Sequence, residues 1–586
     1  MAQSDTILGT GRGVAGGAFL IDGMQSSNDP MFISERGIRS AMNVSLRGGT
    51  ASTRPGYQCR YTLPAGRLQG FHKFTPTGSV LHHLAAVDGR IYVSKAPFTS
   101  YFQLPNIRFF PGARHIFFEN AVKSARRNAD GSITAIDSVN VVMMQDGFSR
   151  AAFWDGSTNR HLDPGPGALE TPIGTVMKFT GGRLWVFDRR RGYSSDIADP
   201  LSFTENTYLA EGLPFQLPDE VTAATETPSV DNPQLLVFTE STGTLFQSNV
   251  RARSTWKDID NFQRVLYPEI GCVGHMAVTT QYGLLWWFSS RGLISLNAAE
   301  ASKISSELPY RDNDMAVSKA FMSSNLADIA LTSYENFLLV SVPSGDRYNR
   351  HTWVLDQSPQ TLLSERAGPA WSGIWTGIRP VQWAPGRVNG VERLYCASVD
   401  YDGNNRVWEA FTADCLDNGT PITSYVESKS YFKFSDKASG LDLKGFRFAE
   451  FTFTDIVGDL DVRVFWAGTR GNYQSLASYR FVATEGSLNS DSDITADTVI
   501  STYSGQSRRQ RTPAIDLGEF SRCGVESDLS DGVDTAFSVL LVWSGRATLR
   551  NFRLFADPND ESSTGECHSA ESGAKVLEQG LEESPQ

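Results

Sequence analysis

The chain has 586 residues, 40% of them hydrophobic, with 35 Phe, 18 Tyr and 12 Trp. This length and aromatic content suit two or three globular β-rich domains and exclude a disordered or fibrous chain. Of the formal charge of −12, residues 557–586 carry −7, because eight acidic groups there face Lys575 alone; the nearly neutral remainder excludes a body that captures DNA or anionic membrane by bulk charge.

Residues 1–65 are rich in Gly and turn residues and read as an N-terminal strap over a neighbouring domain. Its first 20 residues lack the basic and apolar regions of a signal peptide, so synthesis in a cytoplasm is expected. A short helix is predicted across Ser34 to Val44, with Ser34 as N-cap. Arg54-Pro55-Gly56 reads as the turn that fixes the strap's exit, Pro55 by restricting φ and Gly56 by permitting positive φ. Removal of residues 1 to 57 is expected to weaken assembly and leave the β fold intact.

From residue 66 to 415 a unit of apolar strand, Gly turn and apolar strand recurs. It appears in Leu84 to Val93, Val141 to Trp154, Val176 to Phe187, Leu235 to Phe246, Met276 to Phe288, Phe337 to Leu355 and Leu394 to Trp408. The turn glycines at 89, 147, 182, 243, 283, 345 and 403 have a mean spacing near 52 residues. Self-similar β units of about 40 to 50 residues are what propeller blades require, since each hairpin buries its faces only by stacking on its neighbours. The fold class is therefore read as all-β, a β-propeller of six to eight blades with a C-terminal β-sandwich; one large sandwich is the alternative to the propeller. Phe117 to Gly131 and Asn297 to Ala327 read as excursions from the blades, the second with helical composition.

Residues 416–556 change to strict alternation, in Phe446 to Phe453, Leu460 to Trp466, Ala536 to Trp543 and Leu549 to Phe555. Period-two patterning of this length predicts the accessory antiparallel sandwich. Residues 557–586 are acidic, Ser-rich and Gly-rich, and are predicted to be disordered.

The sequence has no GxxxxGK[ST] loop and no GxSxG elbow. Cysteines 59, 272, 396, 415, 523 and 567 are too scattered for a zinc site or disulfide framework, and no HExxH motif accompanies the eight histidines. No run approaches the about 18 apolar residues of a membrane span. Asp155-Gly156 and Asp400-Tyr-Asp402-Gly403 read as turns rather than catalytic carboxylates. The chain thus reads as a non-enzyme without cofactor or metal. Its candidate partner contacts are the basic clusters Arg189-Arg190-Arg191 and Arg508-Arg509 with Arg511, where guanidinium groups suit phosphate or an acidic partner; solvated turns with local ion pairs are the plainer reading. Arg126-Arg127 is a third such pair.

Gly23, Asp29-Pro30, Ala41-Met-Asn43-Val44, Arg47-Gly-Gly49 and Thr53-Arg-Pro-Gly56, followed by Tyr57, form an ordered pattern. It resembles the opening of the tail nozzle proteins, also called tail hub or stabilization proteins, of short-tailed bacteriophages. Gln506 to Thr512, Cys523-Gly-Val-Glu526 and Phe537 to Gly545 are similar to the closing segment of such chains. The resemblance implies a propeller with an accessory β domain, placed in the virion tail as a ring of six copies. Implied partners are the portal-proximal adaptor or connector proteins and plug, needle or tail fibre proteins, with viral DNA passing through without sequence-specific binding. It implies no catalytic residue. The alternative is a propeller glycan-binding protein or glycosidase acting on a host surface.

Overall fold

A computed structural model describes residues 22–25, 33, 36–128, 132–165, 168–204, 215–228, 233–246, 256, 262–281, 283–290, 292–297, 326–344, 346–357, 370–430, 444–467, 473–481, 510–511, 515–516, 533–534 and 538–558. The chain divides into two compact units, one of residues 55–354 and 376–419, the other of residues 1–54, 355–375 and 420–586.

The first unit is a β-propeller. Its first blade contains the strands Leu68–Phe74, His82–Val87, Arg90–Lys95 and Tyr101–Gln103, paired antiparallel in chain order. The second has Phe117–Arg127, Ile133–Gln145, Ala152–Trp154 and Asn159–His161; the third has Met177–Thr180, Arg183–Asp188, Arg191–Ser194 and Phe215–Gln216. The fourth has Val221–Glu226, Leu235–Thr239, Gly243–Phe246 and Gln263–Tyr267, and the fifth Val278–Gln281, Leu284–Ser289 and Gly292–Asn297. The last blade joins Pro380–Val388, Val391–Val399 and Asn405–Thr412 to Gly56–Thr62, a strand from the other end of the unit. These are six blades, and the group Ala330–Tyr334, Phe337–Ser344 and Asp346–Asp356 stands between the fifth and the last. The leading strands of the seven groups neighbour one another in chain order, and Pro380–Val388 returns to lie beside Leu68–Phe74. The ring closes within the expected range of six to eight.

Second strands of the blades are continuous apolar runs rather than alternating ones, because each blade is covered on both faces. His82–Val87 and Leu235–Thr239 are buried throughout. One apolar cluster joins Phe71, Ala85, Tyr395 and Val407 of the first and last blades. Others join Leu84, Ile91, Val142 and Trp154 of the first and second, and Val141, Met143, Leu184 and Val186 of the second and third. The adjacent His82 and His83 accordingly leave on opposite faces: His82 meets Trp154 at 5.5 Å, while His83 stacks on Phe98 at 3.7 Å. Turn glycines do the work expected of them where φ is positive. Gly89 (φ 73°) turns the first blade's hairpin at a place where a Cβ would stand 2.3 Å from the Phe109 carbonyl oxygen.

Three expectations fail here. Phe117 to Arg127 is no excursion but the leading strand of the second blade. Gly56 lacks positive φ; it opens the closing strand, where a Cβ would stand 2.2 Å from the Leu416 carbonyl oxygen. It is required by close approach and not by a turn. From residue 36 to Val44 the described residues form strands Gly37–Ile38 and Ser40–Met42 instead of a helix, because these residues find sheet partners that local propensity does not register; the predicted N-cap Ser34 lies outside the described residues. Most of Asn297 to Ala327 lies outside the described residues.

In the other unit, a sheet runs in the order Ala370–Trp375, Ser40–Met42, Thr423–Glu427, Ser538–Pro558, Lys444–Ala467 and Gln474–Phe481. The four alternating segments of the sequence merge into two long strands, Lys444–Ala467 and Ser538–Pro558, paired antiparallel with register shifts between Thr454 and Asp461. At that irregularity Gly545 (φ 119°) faces the Asp459 carbonyl, where a Cβ would stand 2.5 Å from the oxygen. Bulges of this kind let one strand bend and serve two regions of sheet. Alternation survives on either side: Leu460, Val462 and Val464 are buried while Asp461 and Arg463 are exposed.

The N-terminal segment is therefore woven into both units' own sheets, Ser40–Met42 and Ala51–Thr53 in one and Gly56–Thr62 in the other. Removal of residues 1–57 takes Ser40–Met42 and Ala51–Thr53 out of one unit and only Gly56 and Tyr57 from the closing strand of the other, so that truncation is expected to disturb the first unit's sheet as well as assembly. Of the acidic tail, residues 559–586 lie outside the described residues.

Candidate functional site

Two constellations concentrate polar contacts, one in each unit. The first is the propeller axis. Side chains from the leading strands surround a cavity of about 250 Å³, with Phe117, Phe118, Glu119, Lys178, Gln382 and Trp383 among its lining. The leading strands bring them there side by side, each contributing neighbouring residues such as Phe117 to Glu119 and Val176 to Lys178. Glu119 Oε1 accepts hydrogen bonds from Lys178 Nζ (3.1 Å) and the Phe179 backbone N–H (2.9 Å). The Glu119 carboxylate in turn holds the Lys178 ammonium pKa above its ordinary value against the opposing effect of burial.

His275 also lines the cavity, its ring 4.5 Å from Phe117 and 5.0 Å from His115. Burial pushes its pKa well below the usual histidine range, and neighbouring His115 pushes the same way. Beside it, the buried Asp328 pairs with Arg114 at 2.9 Å and meets His115 Nε2 at 3.0 Å. His72 stacks on Phe118 at 5.6 Å and shares a 3.0 Å hydrogen bond with Asn120 Oδ1; burial pushes its pKa down to about 4.

These neutral histidines make stability pH-dependent. At pH above about 6.5 His72 is neutral folded and unfolded, and its contribution is fully present. As pH falls toward 4 the unfolded chain takes up the proton and the folded chain does not, so stability drops by about 1.4 kcal/mol per pH unit for such a group. Urea midpoints at pH 7.5 and 5 are expected to show this loss, and His72→Gln is expected to shrink it. An unchanged pH slope in His72→Gln would remove His72 from the account.

The second constellation is built by the N-terminal pattern. Asn43 (φ 56°) donates from Nδ2 to the Thr423 carbonyl at 2.9 Å and accepts at Oδ1 from Arg54 Nε at 3.0 Å. Its backbone N–H reaches the Ile374 carbonyl, and its own carbonyl accepts from Arg54 N and Ser424 Oγ. Asn tolerates this left-handed backbone better than most residues. Arg54, read from sequence as part of an exit turn, is fully buried. Thr53 Oγ1 donates to the Gly545 carbonyl at 2.9 Å and accepts from Trp543 Nε1 at 3.0 Å. Arg47 pairs with Asp356 at 3.2 Å, and Gly48 and Gly49 both have φ of 75°. Gly23 (φ 66°) leaves 2.6 Å between a Cβ and the Trp371 carbonyl oxygen. Pro55 follows at the start of the propeller unit.

Arg189 and Arg190 form the exposed hairpin turn between the second and third strands of the third blade, with Arg189 at φ 51°, and Arg191 opens the third strand. Arg190 meets Asp219 at 3.4 Å, the local ion pair of a solvated turn. Arg511 lies in a two-residue strand in register with Thr452; Arg508 and Arg509 lie outside the described residues. Asp155 and Asp400 are turn residues, accepting from Thr158 N at 2.6 Å and Asn404 N at 2.8 Å. Sequence reading missed Glu119, Lys178, His275 and Gln382. The alternation Phe117-Phe-Glu-Asn-Ala-Val was the available signal for the first, but the basic end of that strand, Arg126-Arg127, suggested a surface loop.

No family model and no curated protein matches this chain. Among solved structures it is similar to the extracellular domain of a one component system from B. thetaiotaomicron, at 10% identity and TM-score 0.35, over 77% of this chain and 58% of that one. It is also similar to the AfRom2 CNH domain, at 10% identity and TM-score 0.24, over 50% of this chain and 94% of that one.

Proposed function

We propose that the chain is a structural virion protein that forms the tail nozzle or hub ring of a short-tailed bacteriophage and extends the DNA-ejection channel below portal and adaptor. The observation that carries this reading is that residues of the resembling N-terminal pattern are built into the sheet by buried hydrogen bonds, Asn43 with Arg54, Thr423 and Ser424, and Thr53 with Gly545 and Trp543. These contacts give the residues that carry the resemblance a structural role in this chain, which supports the reading.

In this reading the propeller's own axis is not the DNA path. Side chains of the leading strands converge there and leave a cavity of about 250 Å³, so this reading does not route the duplex through it. In this reading the bore lies between copies, the ring being a hexamer, and acidic loops face it. A near-neutral body suits that task, since each phosphate contact would slow a passing polyanion.

Cryo-electron microscopy of particles from the source tests the proposal. Six copies around an axial channel at the distal end of a short tail are the expected result; trimers at the periphery, or no copy in the particle, would overturn it. For Arg189, Arg190 and Arg191, simultaneous replacement by Glu is expected to change stability by less than about 0.5 kcal/mol and to reduce ring formation in sedimentation analysis. Undiminished ring formation would return the cluster to the solvated turns.

The alternative, glycan recognition at a host surface, draws on the polar axial cavity.

A further inference from the structure

We propose that the axial cavity binds a small uncharged polyhydroxy ligand, a single sugar ring or a short polyol, independently of any role in a ring. The argument rests on unspent hydrogen-bonding capacity. Glu119 uses Oε1 for both Lys178 and Phe179, and Oε2 remains as an acceptor among the described residues. Gln382 spends Oε1 on the Phe71 backbone N–H at 2.8 Å and keeps its amide hydrogens. Lys178 has three ammonium hydrogens and uses one on Glu119. Thr225 and His275 also line the cavity.

Donors and acceptors thus converge from several different strands, which is the arrangement that orients a ligand in a preformed pocket. Charge selects the class. Glu119 pairs with Lys178 at 3.1 Å and Glu226 acts on Lys178 as a second carboxylate, so an anion meets two carboxylates and a cation gains a partner only by competing with Lys178. A hydroxyl donates and accepts at once and satisfies both kinds of group. Phe117, Phe118 and Trp383 border the cavity but are packed into the surrounding cores, so its free surface is mostly polar, as suits a ligand rich in hydroxyls. The volume of about 250 Å³ falls below the about 300–1,000 Å³ of ordinary ligand pockets, which limits the occupant to one ring.

The test is saturation-transfer NMR on the full chain with glucose, galactose, mannose, N-acetylglucosamine and erythritol, with glucuronate and glucosamine as charged comparisons. At least one neutral compound is expected to bind in the millimolar range. Gln382→Glu keeps the acceptor for Phe71 N–H and turns the remaining donor into an acceptor; it is expected to weaken binding about tenfold, or about 1.4 kcal/mol. Thr225→Val, which preserves shape, is expected to weaken it several-fold while leaving the melting temperature unchanged, so that loss of binding is distinguished from loss of fold. The proposal is overturned if no neutral compound binds at tens of millimolar, if only a charged comparison binds, or if neither substitution alters binding.

Discussion

Arg54→Ala is expected to destabilise the unit of residues 1–54, 355–375 and 420–586 by about 2–4 kcal/mol, the sum expected for an unsatisfied buried acceptor and the volume left by the side chain. Arg54 is fully buried, and its Nε donates to Asn43 Oδ1 at 3.0 Å. Truncation leaves that amide oxygen without this donor in a place water does not reach, and the emptied volume adds a cavity term. Arg54→Lys is expected to recover little, because an ammonium on a flexible stem does not reproduce the planar donor set of a guanidinium. Urea unfolding followed by tryptophan fluorescence measures both, since Trp543 and Trp375 are buried in the same unit. A loss below about 1 kcal/mol for Arg54→Ala would show that this part of the sheet is held by backbone contacts alone.

In the propeller, Trp185→Ala is expected to cost about 3–5 kcal/mol, as for other buried aromatic residues cut to Ala. Trp185 is fully buried between the third and fourth blades, stacked on Trp256 at 5.4 Å and 9°, with Phe215 and Phe246 at 5.6 and 5.8 Å. Its indole Nε1 is buried without a hydrogen-bond partner among the described residues. Trp185→Phe therefore removes an unsatisfied donor while keeping most of the aromatic surface, and is expected to cost less than half as much. Equal losses for Phe and Ala would place the value of Trp185 in its indole N–H, against the present account. Thermal unfolding by calorimetry separates the two outcomes.

The blade hairpins were legible because both of their requirements are local. Apolar runs such as Leu84 to Val87 and Trp185 to Phe187 need covering on both faces, and Gly89, Gly147, Gly182, Gly283 and Gly403 take positive φ at the turns. Leading strands were harder to recognise, because one of their faces meets the polar axis and dilutes the apolar signal. That is why Phe117 to Arg127 read as a loop, and why Glu119, Lys178 and Gln382 passed unnoticed. The N-terminal pattern was visible as an order of residues, but its purpose was misassigned: Arg54 and Gly56 serve burial and close approach rather than a surface turn.

The amino-acid sequence by itself determined the all-β class, the repeating hairpin and the change to strict alternation after residue 416, because periodicity and turn chemistry act over a few residues. Only the tertiary structure decided that Gly56–Thr62 completes the last blade beside Asn405–Thr412, and that Asn43 and Arg54 meet Thr423, Ser424 and Ile374. The axial cavity likewise draws its lining from strands spread between Phe117 and Trp383. Such pairings join residues hundreds of positions apart, and their free energy lies in buried polar satisfaction and ring closure. Neither quantity has a local signature in the chain.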